Sequence, residues 1–234
     1  MTVSQLEGTR SVNPTVVVRR AKGPTRAVVL VLYGGRAESR APSRPWHLSG
    51  VRLRPFARQI ARRVARDGVA VWTLRYRVRG WNGDEASPVA DARWALAEIR
   101  ARHGQVPVVL VGHSMGGRTA LRVADDPSVV GIVGLAPWLP EGEPRVRLGD
   151  RRLMVLHGTL DRWTDPKASH AYVEATRAEG TPASWVPMTG HGHFMLRSPG
   201  RWKRLTSDFV ADVLHDALSG QAEEPPAPNP QHHG

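Results

Sequence analysis

Short apolar runs, almost uninterrupted by polar residues, recur along the chain, and stretches with helical periodicity lie between them. The runs are TVVV (15–18), AVVLVLYGG (27–35), VAVWTLRY (69–76), VPVVLVGHS (106–114), VVGIVGLAP (129–137), RLMVLHG (152–158) and ASWVPM (183–188). A strand with one wet face alternates apolar and polar residues, whereas these are apolar throughout, as strands covered on both faces must be. Between them, 51–68 places Leu53, Phe56, Ile60 and Val64 on one helical face with Pro55 suited to the first turn. Segment 89–103 does the same with Val89, Ala92, Leu96 and Ile99, and 115–124, 166–179 and 201–218 read as helices too. Gly68, Gly104 and Gly180 stand where left-handed caps would close three of these helices. The pattern predicts an α/β fold: a mostly parallel central sheet of about seven strands with helices on both faces.

A chain of 234 residues suits one such domain. The expected organisation is an N-terminal extension over 1–14, the domain over 15–218, and a proline-rich, disordered tail over 219–234. With no cysteine in the sequence, disulfide frameworks, cysteine-ligated zinc, iron–sulfur clusters and thiol catalysis are all excluded. The opening MTVSQLEGTRSVNP lacks a basic-then-apolar leader, and no apolar run approaches the roughly 18–20 residues of a membrane span. A cytoplasmic protein is the expectation, and the sequence leaves its oligomeric state open.

The formal charge of +12 raises the question of nucleic acid, since clustered cations gain by displacing phosphate counterions. The excess is almost all arginine, and Arg54, Arg58, Arg62 and Arg66 form one row at four-residue spacing. Like charges so spaced repel by a few tenths of a kcal/mol per pair, so the row must be well solvated or met by an acidic partner. No recognition motif accompanies it, and a solvated outer face is the expectation.

In VPVVLVGHSMGGRTALRV a buried strand runs straight into a helix, with Ser114 at the junction inside the pattern Gly112-x-Ser114-x-Gly116. A turn that tight leaves no room for side chains two residues before or after the serine, and it projects the hydroxyl from the end of the sheet. The amide of Met115 then falls at a helix N-terminus, where free N–H groups and the dipole favour a developing oxyanion.

With these motifs the chain resembles the α/β-hydrolase superfamily over residues 15 to 218, in its lidless serine esterase or lipase form, like dienelactone hydrolases or prolyl-oligopeptidase catalytic domains. VLVLYGGRAES stands where such enzymes carry an HGG- or HGx-type loop, with Tyr33 replacing the usual histidine. The resemblance implies Gly35 as the second oxyanion donor, with Arg36 the adjacent alternative. LMVLHGTLDRWTDP carries an HGxxD pattern that implies Asp161 as the acid; Asp165 competes locally, and Glu141 or Glu143 more remotely. His113 and His157 sit beside motif residues and are read as packing or loop-ordering groups.

The chain order serine, acid, histidine then points to MTGHGHFMLRSPG (188–200), which holds two histidines, His191 and His193. GHFML matches the family's loop at His193 over a longer stretch than GHGH does at His191, and the choice stays open. A metal half-site would need a third ligand, and Phe194 to Arg197 supply none. No metal or cofactor is expected.

Only about a dozen residues, WLPEGEPRVRLG, separate the fifth and sixth runs, so no helical cap is expected. Cover falls to the loops 36–50 and 77–88, with Trp46, Trp81, Trp138 and Trp163 on the rim. Trp138, Trp163 and Arg36 are candidate substrate contacts, and Arg118 is a second candidate for a substrate carboxylate. The expected function is hydrolysis of a carboxylic ester, with thioesters and lactones behind, through an acyl-enzyme on Ser114. An acyltransferase or a non-hydrolytic protein of the same fold is the alternative, and a basic nucleic-acid binder the remote one.

Overall fold

The computed structural model describes residues 13–223. Most of the expected extension, 1–12, and the stretch 224–234 of the expected tail lie outside the described residues. Seven strands form one sheet: β1 (Thr15–Arg19), β2 (Ala27–Leu32), β3 (Val69–Arg75), β4 (Val108–His113), β5 (Val129–Leu135), β6 (Arg152–Gly158) and β7 (Ala183–Met188). Their spatial order is β1-β3-β2-β4-β5-β6-β7. Every neighbouring pair is parallel except β1, which returns antiparallel along β3. Every residue of β2 and β4 is buried, as their unbroken apolar runs require. Edge strand β1 instead leaves Val17 and Val18 exposed.

The helices are α1 (Leu48–Arg63), α2 (Ser87–His103), α3 (Met115–Arg122), α4 (Pro166–Ala178) and α5 (Pro199–Glu223). From β2 the chain crosses leftward through α1 to β3; from β4 it crosses rightward through α3 to β5. Right-handed crossovers in opposite directions put their helices on opposite faces of the sheet. Accordingly α1 packs with α5, and α2 packs with α3. The two connections part between β2 and β4, and the crevice beyond the carboxyl ends of those strands is where open sheets of this kind bind ligands.

Element ends shift in places from the sequence reading. Helix α1 begins at Leu48, so Pro55 lies inside it and not in its first turn. Its buried face is the expected one, with Leu53, Phe56 and Ile60 in the helix and Val64 just past it. Gly104 caps α2, and Gly68, Gly104 and Gly180 all have positive φ. Helix α5 continues past 218 to Glu223, because the first proline comes only at 225 and Gly220 alone does not stop a helix. Arg54, Arg58, Arg62 and Arg66 are all exposed, as a solvated row should be. Among the described residues no helix is long and apolar enough to cross a membrane.

Candidate active site

The turn from β4 into α3 is as crowded as its sequence implies. A Cβ on Gly112 would lie 2.2 Å from the carbonyl oxygen of Gly116, and one on Gly116 would lie 2.1 Å from that of Leu32. Both obstacles are backbone, so neither can move aside cheaply. Between the two glycines Ser114 adopts φ 55° and ψ −121°, a conformation that costs a non-glycine residue about 1–3 kcal/mol. The surroundings hold it there: its amide donates to Leu135 O, and its carbonyl accepts from the amides of Gly117, Arg118 and Trp138. Met115 follows as the first residue of α3, where helix N–H groups have no intrahelical partner.

A cavity of about 410 Å³ opens over this turn, lined by Ser114, Met115, Gly35, Trp138, Trp163 and His193 among others. Gly35 approaches closely: a Cβ there would meet Arg79 O at 2.3 Å and the Met115 side chain at 2.5 Å. The amide of the next residue, Arg36, already donates to Arg79 O at 2.9 Å. Of the two alternatives on this loop, then, Arg36 has its N–H committed elsewhere.

Asp161 lies in the loop after β6, with its side chain wholly buried. One carboxylate oxygen accepts from the amides of Trp163 (2.8 Å) and Thr164 (3.0 Å). The other accepts from His193 Nδ1 at 2.8 Å, Thr164 Oγ1 at 2.9 Å and His157 Nε2 at 3.1 Å. Burial alone would raise the carboxyl's pKa, but the donors from His157, His193, Thr164 and Trp163 outweigh it and hold the group well below the usual carboxylate range. His157 is itself fixed, its Nδ1 bonded to Ser169 Oγ at 2.9 Å.

The two histidines of the GHGH stretch have different surroundings. His193 bonds Asp161, lies under Trp163 (ring centroids 6.4 Å apart, stacked) and faces the cavity that Ser114 lines. His191 is buried, and its Nδ1 accepts from Trp202 Nε1 of α5 at 2.7 Å. Two of the three competing acids are engaged elsewhere. Asp165 caps α4 by accepting from the Lys167 amide, and Glu143 pairs with Arg118 at 2.6 Å and Arg122 at 3.3 Å.

Two expectations about the rim need correction. Arg118 is not free for a substrate carboxylate: it is nearly buried, bound to Glu143 and stacked 3.7 Å from the Trp81 ring centroid and 4.6 Å from that of Trp138. Trp81 is buried in the same stack and does not line the cavity, whereas Trp163 is 73% exposed at its mouth. The reason is charge balance, since an arginine that enters the interior needs an acid, and Glu143 supplies it. Sequence reading missed Thr164, His157 as a second donor to Asp161, and Arg52 with Phe194 at the mouth. Arg52 escaped notice because α1 begins before residue 51, bringing its first turns to the cavity.

His113 packs beneath His193 with ring centroids 4.8 Å apart, and its Nε2 donates to the His193 carbonyl at 3.0 Å. Burial first, and then the neighbouring His193, push its pKa down to about 3. An imidazole in the unfolded chain takes its proton near 6.5, so between about pH 6.5 and 3 the unfolded chain binds a proton that the folded one refuses. Stability therefore falls on acidification, slowly near pH 6.5 and approaching about 1.4 kcal/mol per pH unit from this group only below about pH 5.5, and Asp161 adds its own loss only below about pH 4. Urea midpoints near pH 7, 6 and 5 are expected to fall in that order, and His113→Gln to flatten the trend.

Sheet, elbow and short β5–β6 connection together define an α/β-hydrolase fold without a cap domain among the described residues. The chain belongs to the alpha/beta hydrolase family, whose model matches residues 28–227. No curated protein matches it. Among solved structures it is similar to a propionate-bound esterase of the planctomycete Thermogutta terrifontis, at 19% identity over 88% of this chain and 91% of that one, TM-score 0.67. A Xanthomonas campestris serine hydrolase described as lacking a lid aligns at 20% identity over 81% and 84%, TM-score 0.57. A monoacylglycerol lipase of Paleococcus ferrophilus aligns at 15% identity over 85% and 99%, TM-score 0.60. At such identities the likeness shows the fold alone.

Proposed function

We propose that the protein is a serine hydrolase that cleaves carboxylic esters through an acyl-enzyme on Ser114. The observation that carries this reading is the buried Asp161–His193 pair, 2.8 Å apart, facing the same cavity as a serine held at positive φ. With Nδ1–H committed to Asp161, the imidazole keeps Nε2 free to take the Ser114 proton as the hydroxyl attacks the acyl carbonyl. The tetrahedral oxyanion is met by the Met115 and Gly35 amides, Gly35 being preferred because the Arg36 N–H is already bonded. His193 then protonates the leaving alkoxide, and water, activated by the same base, releases the acid. Trp138 and Trp163 supply apolar wall for the substrate. Among the described residues no cap covers the cavity, which favours water over a second acyl acceptor and hence hydrolysis over acyl transfer.

The test is a fluorophosphonate probe with mapping of the labelled peptide, alongside turnover of p-nitrophenyl butyrate before and after chelation. Labelling confined to Ser114 and chelator-insensitive turnover are expected; an unlabelled protein with no turnover ends the serine mechanism.

On this reading His157 is a positioning residue that acts through Asp161. Removing its donor leaves the carboxylate oxygen that faces His193 one hydrogen bond short. In His157→Phe, kcat for p-nitrophenyl butyrate is expected to fall about tenfold with KM almost unchanged, and His157→Gln, which keeps an N–H in that direction, to recover part of the loss. No recovery in a folded His157→Gln would show that the ring serves packing alone.

A further inference from the structure

We propose that the substrate is an ester carrying a carboxylate a few carbons from the scissile carbonyl, bound by Arg36 and Arg52. This rests on the hydrolase reading and names its substrate class. Arg36 leaves the loop after β2, and Arg52 reaches in from the first turns of α1; both line the cavity of Ser114. Arg36 also lines the adjoining cavity of about 430 Å³, together with Arg79. Among the described residues no aspartate or glutamate lines either cavity, and Glu38, two residues beyond Arg36, lines neither of them.

Several arginines elsewhere are matched with acids, among them Arg77 with Asp91, Arg93 with Asp125, Arg100 with Asp126 and Arg118 with Glu143, while Arg54, Arg58, Arg62 and Arg66 stand exposed to solvent. Among the described residues Arg36, Arg52 and Arg79 have no ion pair. Arg52 is half-buried and its guanidinium lies 4.4 Å from the Phe194 ring centroid, which holds it beside His193. Its partial burial without an anion pushes its pKa down, an unmet cost that a ligand carboxylate would relieve. A cleft with one sign of charge and low-dielectric walls concentrates its field, and here Trp138, Trp163 and Phe194 are those walls. They suit the methylenes of a short acyl chain, and the two guanidinium groups suit its far end.

The experiment compares monoethyl glutarate with its neutral isostere, ethyl 4-carbamoylbutanoate, within each protein. Wild type is expected to prefer the anion by about tenfold in kcat/KM, mainly through KM, with the ratio falling toward one in about 0.5 M NaCl. The ratio should also collapse in an Arg36→Gln/Arg52→Gln double variant, each single change removing about threefold, so a double variant that fails to fold does not remove the test. Arg66→Gln, in the turn beyond the far end of α1, should keep the preference. If the amide is turned over as well as the monoanion, the anion site is overturned while the hydrolase reading stands. If neither ester is turned over, tryptophan fluorescence decides separately. A saturable change with monoethyl glutarate and none with the amide supports the site; equal responses, or none, overturn it.

Discussion

Ser114→Ala is expected to lower kcat for an aryl ester by about 10⁴-fold or more while leaving the unfolding midpoint almost unchanged. On the proposed mechanism the large loss follows from removing the hydroxyl that would form the acyl-enzyme. The small stability effect follows from the backbone: the amide and carbonyl of Ser114 are bonded to Leu135, Gly117, Arg118 and Trp138, and none of those bonds needs the hydroxyl. Alanine inherits the same strained φ of 55°, so neither gain nor relief comes from the dihedral. The proposed oxyanion donors, the Met115 and Gly35 amides, would remain, and a residual rate above that in water is expected from them alone. Burst kinetics with p-nitrophenyl acetate, read beside urea melts, check both halves. A variant that folds normally and retains more than about a tenth of the wild-type rate would show that another group carries the chemistry.

The parts of this site that were legible from sequence are those where backbone crowding dictates residue type. Gly112 and Gly116 have backbone carbonyls within about the length of a C–C bond and a half of where a Cβ would sit, so the pattern around Ser114 declares its own geometry. The apolar runs likewise declared the sheet, because burial on both faces leaves no polar position to confuse the period. What remained hidden depends on contacts between distant segments. Nothing local distinguishes Arg118, which is nearly buried against Glu143, from Arg36, which is exposed at the cavity. Nor does the sequence show that Thr164 reaches Asp161, His157 and His193 at once, since that depends on how the loop after β6 folds back over Ala136. Of the triad candidates, the acid was ranked by resemblance, and its five donors became visible only in three dimensions.

The two histidines of the GHGH stretch offer the sharpest test of chemistry against scaffold. His193→Ala is expected to cost about 10³- to 10⁵-fold in kcat, because on the proposed mechanism Ser114 would lose its base and Asp161 the imidazolium it would stabilise. Its cost in stability is partly offset, since the carboxylate keeps its donors from Thr164, His157 and Trp163. His191→Ala should do the reverse. The indole N–H of Trp202, itself fully buried, loses its acceptor at 2.7 Å, and an unpaired buried donor costs about 1–3 kcal/mol. The chain beyond it stays in register because Leu160 N–H bonds the backbone carbonyl of residue 191, which alanine retains. His191→Ala is therefore expected to unfold at lower urea and to keep its rate within about tenfold at temperatures where it is folded. Measuring kcat and the urea midpoint for both variants separates the two roles. A folded His191→Ala as inactive as His193→Ala would mean that the loop, and not one imidazole, is what the reaction depends on.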